Sequence, residues 1–127
     1  MTLELLVLDG PYAIARLGPE EPTPIWATGG GFVSVTRTGD ELSIICEEGA
    51  VPEGVRCERG WRALRVAGTL DFSAVGILAR LAGPLAVAGV AICVVSTFDT
   101  DYLLVRASDL DRAVAALRAA GSSIREE

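Results

Sequence analysis

Residues 75–105, VGILARLAGPLAVAGVAICVVSTFDTDYLLV, change hydrophobic period partway along, and that change limits what the chain can fold into. From Leu78 the apolar residues Leu81, Ala82 and Leu85 recur three and four positions apart, the spacing of a helix with one buried face. Gly89 is a natural stop. Residues 90–95 then form an unbroken apolar run rich in β-branched side chains, which suits a strand covered on at least one face, and residues 102–105 begin another. Between the two strands lies Ser96-Thr97-Phe98-Asp99-Thr100-Asp101, a polar corner with two carboxylates.

The flanking sequence extends this pattern. In residues 61–70, Leu64 and Val66 alternate with Arg62 and Arg65, as in a half-buried strand, and a helix is expected after Asp71. Ser108 is a good N-cap, with Asp109 and Asp111 in the first turn; Leu110, Val114 and Leu117 then share one apolar face until Gly121 closes the helix. Residues 122–125 make a final edge strand. The order is βαββαβ, which predicts an antiparallel sheet with two helices on one face, an α+β fold of ferredoxin-like type. Pro84 removes a backbone hydrogen bond to Arg80 and should kink the first helix.

Before residue 60 the chain reads as strands joined by turns. Residues 3–8 and 12–17 flank Asp9-Gly10-Pro11 and predict a hairpin. Residues 19–24 are acidic and proline-rich, so residues 25–28 can form only a short helical turn. Residues 32–36 and 41–46 flank Thr38-Gly39-Asp40 and predict a second hairpin. Residues 47–60 are polar and turn-rich, which places the boundary between two small units there: 1–60, mostly strands, and 61–127.

Composition narrows the chemistry. The 127 residues are 50% hydrophobic, enough for a core, and a net charge of −6 argues against nucleic acid or an anionic membrane surface as partner. There is no histidine, and all 11 basic residues are arginine, so imidazole bases, histidine-ligated metals, Schiff bases and the phosphate-gripping lysine of a P-loop are excluded. Cys46, Cys57 and Cys93 are odd in number and show no C-x-x-C spacing, so neither a zinc site nor a disulfide framework is signalled. Glu4 and Asp9 interrupt the first hydrophobic run, unlike a signal peptide, and Gly83, Pro84 and Gly89 break the uncharged stretch from Leu81 to Phe98. A soluble, cytoplasmic protein is the expectation.

Gly83-Pro84-Leu85-Ala86-x-Ala88-Gly89 and Ser96-Thr97-Phe98-x-Thr100-Asp101-Tyr102 stand in a fixed order with four other pieces. These are Gly30-Gly31-Phe32-x-Ser34-Val35-Thr36-Arg37-Thr38, Asp40-Glu41-Leu42-Ser43-Ile44, Trp61-Arg62-Ala63-Leu64 and Asp71-Phe72-Ser73. Together they resemble the ACT domain, a ligand-binding module that regulates amino-acid metabolism. The likeness is nearest its tandem, aspartokinase-like branch, which includes the CASTOR cytosolic arginine sensors. The resemblance implies a degenerate ACT unit in residues 1–60 packed on a complete one in 61–127. It also implies a non-enzymatic module, without cofactor, that binds a small molecule, most often an amino acid. Such a module would assemble as a homodimer and pass its signal to a separate effector chain. The alternative is an interaction domain that keeps the fold and has lost the ligand.

The expected site joins the start of the first helix to the end of the following strand. Phe72, Ser73, Ala74, Val75 and Gly76 would offer unpaired backbone N–H groups to a ligand carboxylate. Asp101, with Asp99 as second choice, would meet an ammonium, while Thr97, Phe98 and Thr100 shape the pocket. The plainer reading makes Ser73 an N-cap and the two aspartates solvated turn residues. Asp99-x-Asp101 could instead hold magnesium, but a hard cation wants several oxygens and no further acidic cluster is adjacent. No metal or catalytic residue is therefore assigned. Gly29-Gly30-Gly31 lacks the Lys-Ser/Thr of a phosphate loop and reads as a flexible turn. Trp26 and Trp61 read as packing groups, and Ser34, Thr36 and Thr38 as an ordinary polar strand face.

Overall fold

The structure, a computed structural model, describes residues 2–70 and 75–127. Two compact units emerge, one built from the chain up to Asp9 together with Arg62–Glu127, the other from Gly10–Trp61.

The first unit carries the elements expected from the change of period. Strand β1 is Glu4–Val7, and β5, Cys57–Val66, enters with its second half. Helix α1 is Ile77–Val87, β6 Ile92–Ser96, β7 Asp101–Arg106, α2 Leu110–Ala119 and β8 Ser123–Glu126. Strand order in this unit is β6-β7-β5-β1-β8. The fold is thus a ferredoxin-like α+β sheet with two helices. Ile77, Leu81 and Leu85 of α1 and Ala113 and Leu117 of α2 share one core with Leu5, Val7, Leu64, Val66, Leu103, Val105 and Ile124 from the strands. Both helices therefore lie over the same sheet face.

The hairpin expected around Asp9-Gly10-Pro11 does not form. Strand β1 pairs antiparallel with β5, Leu5 opposite Val66, and parallel with β8, Leu5 opposite Ile124. A bare βαββαβ unit would bring its last strand beside its first; here β1 occupies that place, and the sheet is mixed rather than wholly antiparallel. The reason is burial. Insertion between two strands satisfies both edges of β1 and takes Leu5 and Val7 to 0% and 3% exposure.

Helix ends follow backbone chemistry. Val90 N–H donates to the Leu85 carbonyl and Gly89 N–H to that of Ala86, a Schellman closure that Ser122–Leu117 and Gly121–Arg118 repeat at the end of α2. Helix α1 continues through Pro84. At the start of α2, Ser108 is not the cap: it lies in a single 3₁₀ turn, Ala107–Asp109, and Asp109 precedes the helix without a side-chain capping bond. The Asp109 carboxylate instead accepts from Arg112 at 2.7 Å, which removes it from the backbone N–H groups.

The second unit is an antiparallel sheet without an α-helix among its described residues. Strands β3 (Ser34–Arg37), β4 (Leu42–Glu47) and β2 (Tyr12–Leu17) pair in that order, and β2 pairs onward with Cys57, Glu58 and Trp61 of β5. The hairpin expected at Thr38-Gly39-Asp40 is present, its turn fixed by the Thr38 hydroxyl accepting from the N–H of Asp40 and of Glu41. Ala13, Ala15, Ala27, Leu42, Ile44, Cys46 and Val51 form this unit's core. Among the described residues no helix is long and apolar enough to cross a membrane.

Candidate functional site

The polar corner is built by the strand pair that precedes and follows it. Strands β6 and β7 run antiparallel, and the register ends on Ser96 opposite Asp101. Within the turn, Thr97 N–H and the Thr97 hydroxyl both donate to the Thr100 carbonyl, at 2.8 and 3.1 Å, and Thr100 N–H donates back to Thr97 Oγ1 at 3.2 Å. Two further bonds tie the turn to the exit of β5: the Thr100 hydroxyl donates to the Val66 carbonyl, and Leu70 N–H to the Asp99 carbonyl, each at 2.6 Å. The turn is therefore pre-formed rather than loose.

Beside it lies a cavity of about 410 Å³ bounded by this turn, Leu70 and the first residues of α1. Gly76, Thr97, Phe98, Asp99, Thr100 and Asp101 of the expected set line it together. Val75 is 93% exposed and is not part of the lining. Phe72, Ser73 and Ala74 lie outside the described residues. The lining also includes Ile77, Leu78, Ala79, Leu70 and Ser96, which sequence reasoning missed. The helix starts later than the residue pattern suggested. Gly76 precedes it with φ +80°, a left-handed conformation costly for any residue with a Cβ. Gly76 has no side chain to cap the first turn, and Ile77, Leu78 and Ala79 of that turn stand at the cavity wall.

Asp101 is 9% exposed, with its Oδ1 accepting from the Ser96 hydroxyl at 2.6 Å. Among the described residues no arginine pairs with it. The cavity thus presents opposite features at its two walls, a buried carboxylate and the positive end of a helix, with Leu70, Leu78 and Phe98 between them as apolar surface. This arrangement suits a small zwitterion. Among the described residues no group of three or more acidic, Cys or His side chains could hold a metal ion. The glycine run is no phosphate loop either. A Cβ built on Gly30 would stand 2.5 Å from the Glu47 carboxyl carbon, so a carboxylate already packs against that backbone. Trp26 packs on the core of its own unit, and neither it nor Trp61 lines the cavity.

A model of the ACT domain matches residues 56–119, and a second model, of an N-terminal domain, matches residues 10–54. The crystal structure of protein Atu0741 from Agobacterium tumefaciens is 46% identical, with a TM-score of 0.94 over 100% of this chain and 95% of that one. The regulatory subunit of aspartate kinase from Thermus thermophilus, in a ligand-free form, is 12% identical, with a TM-score of 0.66 over 91% and 95%. Aspartate kinase from Clostridium acetobutylicum gives 13% and 0.67 over 92% of this chain and 34% of that enzyme. A search of curated proteins finds no match.

Proposed function

This chain belongs to the ACT-domain family, and from that premise we propose that it is a non-catalytic regulatory module that binds a free amino acid. One observation carries the reading: Asp101, nearly buried, lines a cavity and has no cationic partner among the described residues. Burying a charge is costly unless it is paired, and a ligand ammonium supplies the pair. The ligand carboxylate would sit at the uncapped N–H groups of Ile77, Leu78 and Ala79, and its side chain against Leu70, Leu78 and Phe98. Asp99, exposed, is the second carboxylate.

Within the family our reading is the tandem, aspartokinase-like branch that includes the CASTOR sensors, with residues 1–60 read as its degenerate unit and 61–127 as the complete one, while the compact units of the structure divide at Asp9 and Trp61. Such a module would act in the cytoplasm on a separate effector chain. Phe98 of the lining and Val75, which precedes Gly76 in sequence, are 78% and 93% exposed, and a second copy would cover them in a two-fold dimer. Light scattering at micromolar concentration would return twice the mass of 13.3 kDa if this is right. The binding reading is tested by thermal denaturation with each proteinogenic amino acid at millimolar concentration, where about a hundredfold excess over Kd adds about 2.7 kcal/mol. If no amino acid raises Tm, the reading gives way to a pure interaction domain.

A further inference from the structure

We infer that Ser96 is a second acceptor in the ammonium site and the residue that positions Asp101, so that the site selects a primary ammonium group. The inference rests on the amino-acid reading above and names a chemistry that reading leaves open. Ser96 ends β6 directly opposite Asp101, the first residue of β7, and its hydroxyl donates to Asp101 Oδ1 at 2.6 Å. An ionised carboxylate only accepts, so the hydroxyl hydrogen is committed to that bond while the lone pairs of the Ser96 oxygen are left over. Both residues line the same cavity, and among the described residues no other group bonds to the side chain of either.

The neighbouring hydroxyls are engaged differently. Thr97 Oγ1 both donates and accepts inside the turn, and the Thr100 hydroxyl, on a residue 4% exposed, is directed to the Val66 carbonyl. Ser96 and Asp101 therefore form an adjacent pair of acceptors held by the last register step of one strand pair. An –NH₃⁺ group carries three donors and can reach both. An N-methylated amine keeps two donors and can serve both acceptors only with its methyl turned away from them, a constraint the primary amine does not carry, and a trimethylammonium offers no donor at all. Ser96 is exposed and Asp101 nearly buried, so the cost falls on the carboxylate: leaving a nearly buried acceptor without its donor costs more than losing an apolar contact, which is how such sites reject close analogues.

The test is calorimetric titration of the full chain. Each proteinogenic amino acid is the first probe, followed by the N-methyl and N-trimethyl forms of those that bind. Wild type should bind the primary amine at least about tenfold more tightly than its N-methyl form, and not bind the trimethyl form. Ser96→Ala should weaken the primary amine at least about tenfold, Ser96→Thr should restore it, and Ser96→Ala should have little further effect in an Asp101→Asn background. Equal binding of the N-trimethyl form, unchanged binding in Ser96→Ala, or a Ser96→Ala loss that persists in full beside Asp101→Asn overturns the inference while the amino-acid reading stands. Silence of every probe on wild type overturns both. A thermal melt of each variant separates loss of binding from loss of fold.

Discussion

The Thr100 hydroxyl donates to the Val66 carbonyl at 2.6 Å, across 34 residues of sequence, and so fastens the turn after β6 to the end of β5. The bond is buried on a residue that is 4% exposed, where water cannot replace it. It stabilises the fold, whereas Asp101, one residue on, is the carboxylate we propose for the ligand ammonium.

Thr100→Val keeps the shape of the side chain and deletes the donor. It should cost about 1–3 kcal/mol, the penalty of an unsatisfied buried polar group. Thr100→Ser, which keeps the hydroxyl, should cost less. Denaturant unfolding at fixed pH measures both, and a larger loss in Thr100→Ser than in Thr100→Val would assign the effect to the methyl group instead.

Asp101→Asn removes a nearly buried charge while leaving an oxygen that can accept from Ser96. Free-protein Tm should stay unchanged or rise slightly, because an uncompensated carboxylate no longer has to be desolvated. Affinity for the amino acid identified by thermal denaturation should fall at least about tenfold, as expected for loss of a charge-assisted bond. Parallel damage to stability and affinity would instead make Asp101 a structural cap.

Gly76→Ala meets no neighbour among the described residues, since none lies within 4 Å of the added Cβ, so the cost is conformational. At φ +80° that cost should be about 1–2 kcal/mol in denaturant unfolding. A neutral result would mean that the helix start relaxes to another backbone conformation.

Burial pushes the Cys46 and Cys93 thiols above the ordinary thiol range; for Cys46 the nearby Cys57 and Glu47 add to the rise and Arg59 opposes it. A folded-state value above the unfolded one means that stability is fully present below the unfolded pKa and is lost as pH rises through the folded one. Stability should therefore begin to fall above about pH 8.5 from this source. Replacing both residues with alanine should flatten that alkaline decline in denaturant melts. A decline of the same size in the double variant would assign it to other groups.

What the sequence made legible was set by local chemistry. Period, Gly89 and Gly121 located both helices, and Thr38-Gly39-Asp40 located a hairpin, because each depends on neighbours a few positions apart. The place of β1 was not legible: pairing with β5 and β8 is decided by which edges need covering far along the chain, and Asp9-Gly10-Pro11 looks the same in either topology. In the site, the turn from Thr97 to Asp101 stood out by its polarity between apolar runs. Ser96 was legible as the first residue of that corner but not as a site residue, since it acquires that meaning only when register sets it opposite Asp101. The Ser108 cap misled because Asp109 is engaged by Arg112 and a 3₁₀ turn precedes the helix.

Strand β1 lies against β8, Leu6 opposite Arg125, so among the described strands the first to be synthesised waits for the last before its outer edge is paired. During translation β1 can dock on β5 once residue 66 is available, but its other edge stays open until residues 123–126 have emerged. Open edges on a nascent chain recruit other strands, and the contacts that close this one span most of the sequence. Folding of this unit therefore waits for Ser123–Glu126, and shortening the sequence before Ser123 would leave a nearly finished sheet with an adhesive edge.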